Sequence, residues 1–118
     1  MSMDPAKRAE HQEKIRKLYH SYRERMPGEL AALEELASRL VGAETDREVL
    51  TLLRQQLHTI AGSGGTFGQT GLGEQARSLE LTILAWLNAP SLTMNTEERQ
   101  RLVEAIAVLP AFLTDVVA

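Results

Sequence analysis

A glycine-rich stretch near the middle of the chain reads Leu57-His58-Thr59-Ile60-Ala61-Gly62-Ser63-Gly64-Gly65-Thr66-Phe67-Gly68. A strong helical pattern precedes it, and its apolar face consists of Val49, Leu50, Leu53, Leu57 and Ile60. Four glycines then fall within seven residues, and each glycine inside a helix costs about 0.5–1 kcal/mol relative to alanine. Either the helix ends at Ile60 and a loop follows, or something must approach the backbone closely beside His58.

His58 is expected on the outer side of this helix. At about 100° per residue, its side chain points roughly 130° away from the centre of the apolar face, which lies near Leu53 and Leu57. Gly62 follows one turn later on the same outer stripe. An imidazole with no side chain on the next turn is open to a bulky partner. The pattern therefore favours a histidine that a partner must reach over a histidine of the core.

Helical periodicity covers nearly the whole chain, and no stretch alternates apolar and polar residues long enough for a strand. Towards the N-terminus, the pattern predicts a segment over about residues 5–25 and another that begins after Pro27 and ends at Gly42. Pro27 either separates two helices or kinks a single long one. The sequence Thr45-Asp46-Arg47-Glu48 is a possible capping box for the helix that carries His58.

Towards the C-terminus, the pattern predicts a helix over about residues 70–88, a loop that includes Pro90, and a last helix that begins near Asn95 or Thr96. Pro110 is expected to kink or break that last helix. Amphipathic helices joined by short loops are typical of antiparallel bundles. We therefore predict an all-α fold, an antiparallel four-helix bundle with an additional N-terminal helix, formed by one domain over residues 1–118.

Composition excludes several classes of protein. The chain has no cysteine, which excludes a disulfide scaffold, a cysteine-ligated metal site and a thiol nucleophile. The net charge is −3, and a mildly acidic body argues against nucleic-acid binding. No Glu lies three residues before a His, so a di-iron site is not expected, and no P-loop is present. No apolar run is long enough to span a bilayer, and the first residues lack the apolar stretch that is typical of a signal peptide. We therefore expect a cytoplasmic protein with no membrane partner and no metal site.

The segment from His58 to Gly68, followed by Leu72 and by Ala-Arg-Ser-Leu-Glu at 76–80, resembles a histidine-containing phosphotransfer (HPt) domain of two-component phosphorelays. The family pattern is roughly His-x-Leu-Lys-Gly-Ser-x-x-x-x-Gly, followed by a Leu and then by Leu-Glu or Leu-Gln. Ile60 stands at the Leu position, and Gly68 matches the last glycine. The likeness is strongest over residues 50–87.

The resemblance implies that His58 accepts a phosphoryl group from a receiver aspartate or a histidine kinase and passes it to a response-regulator receiver. It implies a phosphoryl carrier rather than an enzyme, with no cofactor of its own, because the receiver supplies the magnesium ion. A carboxylate on the second ring nitrogen would orient the imidazole, and Glu80 is the candidate. The alternative function is a degenerate module that docks receivers without phosphotransfer.

The chain departs from the family pattern at Ala61, where the family usually has a lysine that meets phosphoryl charge. Arg54 and Arg77 are the candidates to replace that lysine, and each is open to the simpler interpretation of a surface arginine. The partner is expected to dock around His58 on the residues Gln55, Thr59, Gly62 and Gly65. The charged outer faces of the helices favour a monomer.

Overall fold

A computed structural model describes residues 4–40, 43–89 and 94–116 of the chain. The described residues form four α-helices and no strand. The helices are α1 (Pro5–Ala37), α2 (Ala43–Thr66), α3 (Thr70–Leu87) and α4 (Thr96–Ala107), followed by a 3₁₀ turn over Leu109–Phe112. The prediction of an all-α helical bundle is confirmed.

The N-terminal segment and the first bundle helix are one continuous helix, α1, rather than two separate helices. Pro27 lies inside it, although an internal proline removes one backbone hydrogen bond and costs about 3 kcal/mol. Tyr22, Met26 and Leu30 are all buried, so core packing on both sides of Pro27 holds the helix together. The earlier part of α1 contains no buried residue, and Leu18 is 56% exposed.

The start of α2 differs from the sequence-based expectation. The helix already includes Thr45, so the capping box at residues 45–48 is wrong as the helix start. Asp46 instead has its side chain buried, and its Oδ2 accepts a hydrogen bond of 2.7 Å from Nε of Arg99. This ion pair joins α2 to α4. The expected glycine cap at Gly42 and the loop at Pro90 lie outside the described residues.

The remaining helix boundaries follow the sequence signals. α3 covers nearly the predicted range, and α4 begins after Asn95, whose side chain accepts a hydrogen bond from the backbone N–H of Glu98. α4 ends at Ala107, and the chain continues as the 3₁₀ turn that contains Pro110. None of the helices in the described ranges has the length and apolarity needed to cross a membrane.

A buried amide, that of Gln69, holds Thr114 against the turn between α2 and α3. The side chain of Gln69 accepts from the backbone N–H of Thr114 at 2.9 Å and donates to the carbonyl oxygen of the same residue at 2.9 Å. A buried amide must satisfy both its donor and its acceptor, and this pairing satisfies both. Nearby, the rings of Tyr22 and Phe67 stack at 4.8 Å between centroids. These contacts join α1 and the segment after the 3₁₀ turn to the turn between α2 and α3.

Candidate functional site

The glycine-rich stretch is helical, since α2 continues through it to Thr66. Of the two alternatives that the sequence left open, an end of the helix at Ile60 is therefore wrong. Gly64 is in contact with α3: a Cβ added there would lie 2.9 Å from Cα of Gly73 and 2.9 Å from the carbonyl oxygen of Gln69. Such distances leave no room for a side chain, so α2 and α3 meet backbone to backbone at this point.

Gly62 and Gly65 have a different environment. A Cβ added at either position would meet nothing within 4 Å. Packing inside the described chain therefore gives no reason for glycine at these two positions. Both lie on the outer side of α2, C-terminal to His58, and the space beside each of them is open.

His58 lies on the exposed side of α2, with 58% of its side chain accessible. Its Nδ1 is 2.6 Å from Oε2 of Glu80, which comes from α3 and is almost completely buried. The structure thus brings together the two side chains that the sequence analysis paired. When Glu80 is ionised its carboxylate can only accept, so Nδ1 carries the proton and the lone pair resides on Nε2. Among the described residues, no hydrogen bond to Nε2 is present.

Two arginines also converge on the Glu80 carboxylate. Arg77 donates from Nη1 to Oε1 at 3.0 Å, and Nε of Arg54 lies 3.4 Å from Oε2. The second contact has the distance of an ion pair but not the geometry of a hydrogen bond, and Nε of Arg54 is buried without a hydrogen-bond partner. A buried carboxylate requires such partners, because an isolated charge is costly to remove from water. Glu80 is therefore the centre of a charged cluster at the α2–α3 interface.

The two arginines differ in their access to the surface. The side chain of Arg77 is 57% exposed, whereas that of Arg54 is 35% exposed and has its Nε buried. Arg77 also lines the groove that contains His58, and Arg54 does not. Of the two candidates for meeting phosphoryl charge, Arg77 is the one that shares an open surface with the imidazole.

The groove between α2 and α3 begins at His58 and has a volume of about 500 Å³. Its lining combines small residues with one carboxylate and one guanidinium: His58, Ala61, Gly62, Gly65, Thr70, Gly73, Glu74 and Arg77. The expected partner contacts divide between two places. Gly62 and Gly65 line this groove, whereas Gln55 and Thr59 line a second groove between α1 and α2.

The sequence analysis missed several residues that build the site. It did not separate Gly64 and Gly73, which make the helix crossing, from the two open glycines. It also missed Glu74 and the hydrogen bond of 2.8 Å between Ser63 Oγ and the hydroxyl of Tyr22. Burial raises the pKa of Tyr22. No sequence signal links Tyr22 and Ser63, because they are 41 residues apart and belong to different helices.

The described ranges contain no group of three or more His, Cys, Asp or Glu side chains that could hold a metal ion. The arrangement thus consists of an exposed imidazole, a buried carboxylate on its far nitrogen, two arginines and an open groove. Chemically, it presents one nucleophilic nitrogen to a partner. The carboxylate that lines the same groove is that of Glu74.

A family model described as "Hpt domain" matches residues 17–116. The chain belongs to the Hpt domain family. Membership implies a function related to phosphotransfer in two-component signalling, in which Hpt domains act as phosphocarriers and interact with receiver domains and kinases. Neither the search of curated proteins nor that of solved structures gives a match.

Proposed function

We propose that this Hpt domain accepts a phosphoryl group on Nε2 of His58 from a receiver aspartate or a histidine kinase and relays it to a response-regulator receiver. The observation that supports this most directly is the hydrogen bond of 2.6 Å between Nδ1 of His58 and Glu80. With an ionised Glu80 this contact favours the tautomer that leaves the lone pair on Nε2, and 58% of the His58 side chain is accessible. The domain would act as a monomer in the cytoplasm.

The transfer step balances without an added acid or base. The lone pair on Nε2 of His58 attacks phosphorus, the N–P bond forms, and the P–O bond to the receiver aspartate breaks. The aspartate leaves as a carboxylate with the bonding electron pair. The phosphorylated ring still carries the proton on Nδ1 and becomes cationic, which the Glu80 carboxylate stabilises at hydrogen-bond distance.

The magnesium ion that receiver chemistry requires would come from the receiver, since Hpt domains act with receivers that bind it. In this chain, we assign the role of the missing lysine at Ala61 to Arg77. Its guanidinium is exposed, it lines the groove beside His58, and Glu80 keeps Arg54 and His58 as partners if Arg77 moves towards the phosphoryl group. Arg54 is then a positioning residue for Glu80.

The test is phosphoryl transfer from a panel of aspartyl-phosphorylated receiver domains, with His58→Gln as the control. We expect an acid-labile, base-stable label on the wild-type chain and no label on His58→Gln. Circular dichroism should show that His58→Gln keeps the helical fold, because the side chain is largely exposed. A wild-type chain that binds receivers in calorimetry but takes no label would establish the alternative, a docking module without phosphotransfer.

The two arginines can be separated with the same label. Arg77→Gln should shorten the lifetime of phosphohistidine and slow transfer, and Ala61→Lys should restore part of the loss by returning a cation to the same groove. Arg54→Gln should instead lower the stability of the fold, because it removes a partner of a buried carboxylate. Equal effects of the two substitutions on phosphohistidine lifetime would contradict the assignment of Arg77.

A further inference from the structure

The first part of α1 extends beyond the rest of the bundle. The rings of Tyr19 and Phe67 meet edge to face, with 6.3 Å between their centroids, just after the last residue of α2. Residues 5–18, which we call the arm, continue α1 beyond this contact, and every arm residue up to Gln12 is exposed. The match to the Hpt family model begins at residue 17. Most of the arm therefore lies outside the matched region, and the family match does not account for it.

The arm is basic, and one side of it carries a continuous row of exposed side chains. It has five basic and two acidic side chains and a net charge of +3, although the whole chain carries −3. Four side chains share one side of the helix, because they follow one another at steps of four, three and four residues. We call them the basic row: Lys7, His11, Lys14 and Leu18. Within the described ranges, no ion pair involves Lys7 or Lys14, so their charges are available to a partner.

The basic row lies on the same side of α1 as the expected docking surface. Eighteen residues separate Lys14 from Ala32, and eighteen also separate His11 from Glu29. This spacing is about five full turns of an α-helix, so each pair points in the same direction. Ala32 and Glu29 line the groove between α1 and α2 together with Thr59, one of the expected partner contacts. The surface on which a partner of His58 is expected to dock therefore continues along α1 onto the basic row.

The near end of the basic row is within reach of a partner that covers His58. Tyr22 bonds to Ser63 at 2.8 Å, which places the two residues at the same level along the bundle, five residues beyond His58 on α2. At about 1.5 Å per residue, Leu18 lies about 14 Å and Lys14 about 20 Å from the level of His58. A domain of about 100 residues has a radius of gyration of about 13 Å, and hence a radius of roughly 17 Å. Such a domain centred on the imidazole covers Leu18, and the long side chain of Lys14 reaches its edge.

We propose that the arm is a second docking element for the receiver, in which Lys14 pairs with an acidic patch on the receiver surface and Leu18 packs against its edge. The inference rests on the proposed function, which makes a receiver the partner that covers His58. A single exposed leucine is ordinary on a protein surface, so the 56% exposure of Leu18 indicates nothing by itself. Its place beside the unpaired charge of Lys14, at the border of the receiver's footprint, is what favours a contact there.

The position of this contact determines what it does. Charges at the rim of an interface mainly change the rate of association and the choice of partner. Lys14 is too far from Nε2 of His58 to act on the phosphoryl group. The arm therefore favours receivers that carry acidic side chains at this place and opposes those that carry basic ones, without altering the chemistry of transfer.

The experiment measures kcat/KM for transfer to His58 from the receiver panel, with Lys14→Glu and Leu18→Gln. The matched control is Arg16→Glu, which makes the same charge change roughly 160° away around the same helix. With a cognate receiver, we expect Lys14→Glu to lower kcat/KM about threefold to tenfold at low salt and Arg16→Glu to leave it nearly unchanged. The loss in Lys14→Glu should shrink at high salt, because salt screens exposed charges, whereas the loss in Leu18→Gln should persist.

A graded control comes from the far end of the basic row. Lys7 lies about 30 Å from the level of His58, outside the footprint of a receiver of ordinary size. Lys7→Glu should therefore lower kcat/KM less than Lys14→Glu does. All of these side chains are exposed, so circular dichroism should show the helical content of the wild type in every variant.

A second measurement uses phosphoramidate, a small phosphoryl donor that has no protein surface to dock. With this donor, Lys14→Glu and Leu18→Gln should be labelled at the rate of the wild type, since no receiver contact is involved. A third measurement replaces the exposed Asp and Glu residues of a cognate receiver with Lys, one at a time. One of these receivers should be impaired with the wild-type chain and should recover with Lys14→Glu.

Each outcome separates the inference from the relay on which it rests. If the wild-type chain transfers but Lys14→Glu and Leu18→Gln behave like Arg16→Glu with every receiver, the inference is wrong and the relay stands. If the two variants lose activity equally with receivers and with phosphoramidate, the effect lies within this domain and the receiver contact is wrong. If sedimentation shows self-association of the wild type that Leu18→Gln abolishes, a second copy of the chain covers the basic row and the receiver does not.

Binding tests the inference even if the relay fails. If neither donor labels the wild type, calorimetry with the same receivers replaces the transfer assay. Weaker receiver binding by Lys14→Glu than by Arg16→Glu would then support the arm as a docking element of a module without phosphotransfer. Equal binding by these two variants would overturn the inference.

Discussion

Two pairs of glycines at the α2–α3 interface have opposite roles. Gly64 and Gly73 touch, and a Cβ on Gly64 would lie 2.9 Å from backbone atoms of α3 and of the turn before it. Gly62 and Gly65 face open space, and a Cβ on either would meet nothing within 4 Å. The first pair allows two helices of this chain to approach, and the second pair leaves the surface beside His58 free. Identical residues in one short stretch thus serve packing in one case and access in the other.

The largest expected effect is on phosphoryl transfer, when a side chain is added at Gly62, one of the two glycines that face open space. Gly62→Gln places a long side chain one turn beyond His58, where it covers the approach to Nε2. We expect receiver-dependent transfer to fall about 100-fold or more, because misplacement of reacting groups by about 1 Å already costs that much. Urea unfolding should show stability at least equal to the wild type.

The control for that substitution is Gly28→Gln, which alters another open glycine inside α1 away from the groove. It should leave transfer unchanged. Retained transfer in Gly62→Gln would show that the partner does not approach over this glycine. The claim that Gly62 gives the partner access to His58 would then be wrong.

The next largest effect should be on stability, when a side chain is added at Gly64, where α2 contacts α3. Gly64→Ala forces α2 and α3 apart at a contact formed by rigid backbone, and overpacking of this kind costs about 1–3 kcal/mol. The free energy of unfolding, measured in urea, should fall by that amount. Gly28→Ala, at an open helical position, should instead raise it by about 0.5–1 kcal/mol. If both substitutions stabilise the protein, the backbone contact at Gly64 is wrong.

A smaller effect concerns Ser63, which lies between Gly62, which faces open space, and Gly64, which contacts α3. Its hydrogen bond to Tyr22 holds α2 against α1, and burial raises the pKa of Tyr22 above its ordinary value of 10.0. A raised folded-state pKa of this acid means that its contribution to stability is complete below pH 10 and is lost as the pH rises through the folded-state pKa.

Urea unfolding of the wild type and of Tyr22→Phe between pH 8 and about pH 11 measures that contribution. At pH 8 the variant should be less stable by about 0.5–1.5 kcal/mol, the typical net value of one hydrogen bond. The difference should narrow as the pH rises, because only the wild type loses the Tyr22 contribution. A constant difference in the free energy of unfolding between the two proteins over this pH range would contradict a raised pKa of Tyr22.

The smallest effect sharpens the comparison within the open pair. Gly65→Ala should raise the free energy of unfolding by about 0.5–1 kcal/mol, as Gly28→Ala does, since alanine favours the helix and meets no neighbour. It should nevertheless slow transfer from receivers, because its methyl group narrows the groove. Gly28→Ala should be stabilising with transfer unchanged. Identical transfer rates in both variants would remove Gly65 from the partner surface.

Local sequence signals predicted most of the helices. They failed where a helix boundary depends on contacts with residues that are distant in the sequence. The periodicity of α3 and the start of α4 near Asn95 or Thr96 are local signals, and both were predicted. Pro27 left the continuity of α1 open, because an internal proline is tolerated only where packing compensates for it. The start of α2 was misplaced because Asp46, which looked like part of a cap, pairs with Arg99 on another helix.

For the site, the sequence by itself determined that His58 faces outward with Gly62 above it, because helical period fixes the relative directions of residues on one helix. The likeness to the Hpt family came from the same short stretch. Only the tertiary structure decided that Glu80 reaches Nδ1, that Arg77 shares the groove whereas Arg54 does not, and that Glu74 lines it. These are relations between α2 and α3, and the distance between two helices depends on how closely Gly64 and Gly73 let them pack, which no pattern within either helix encodes.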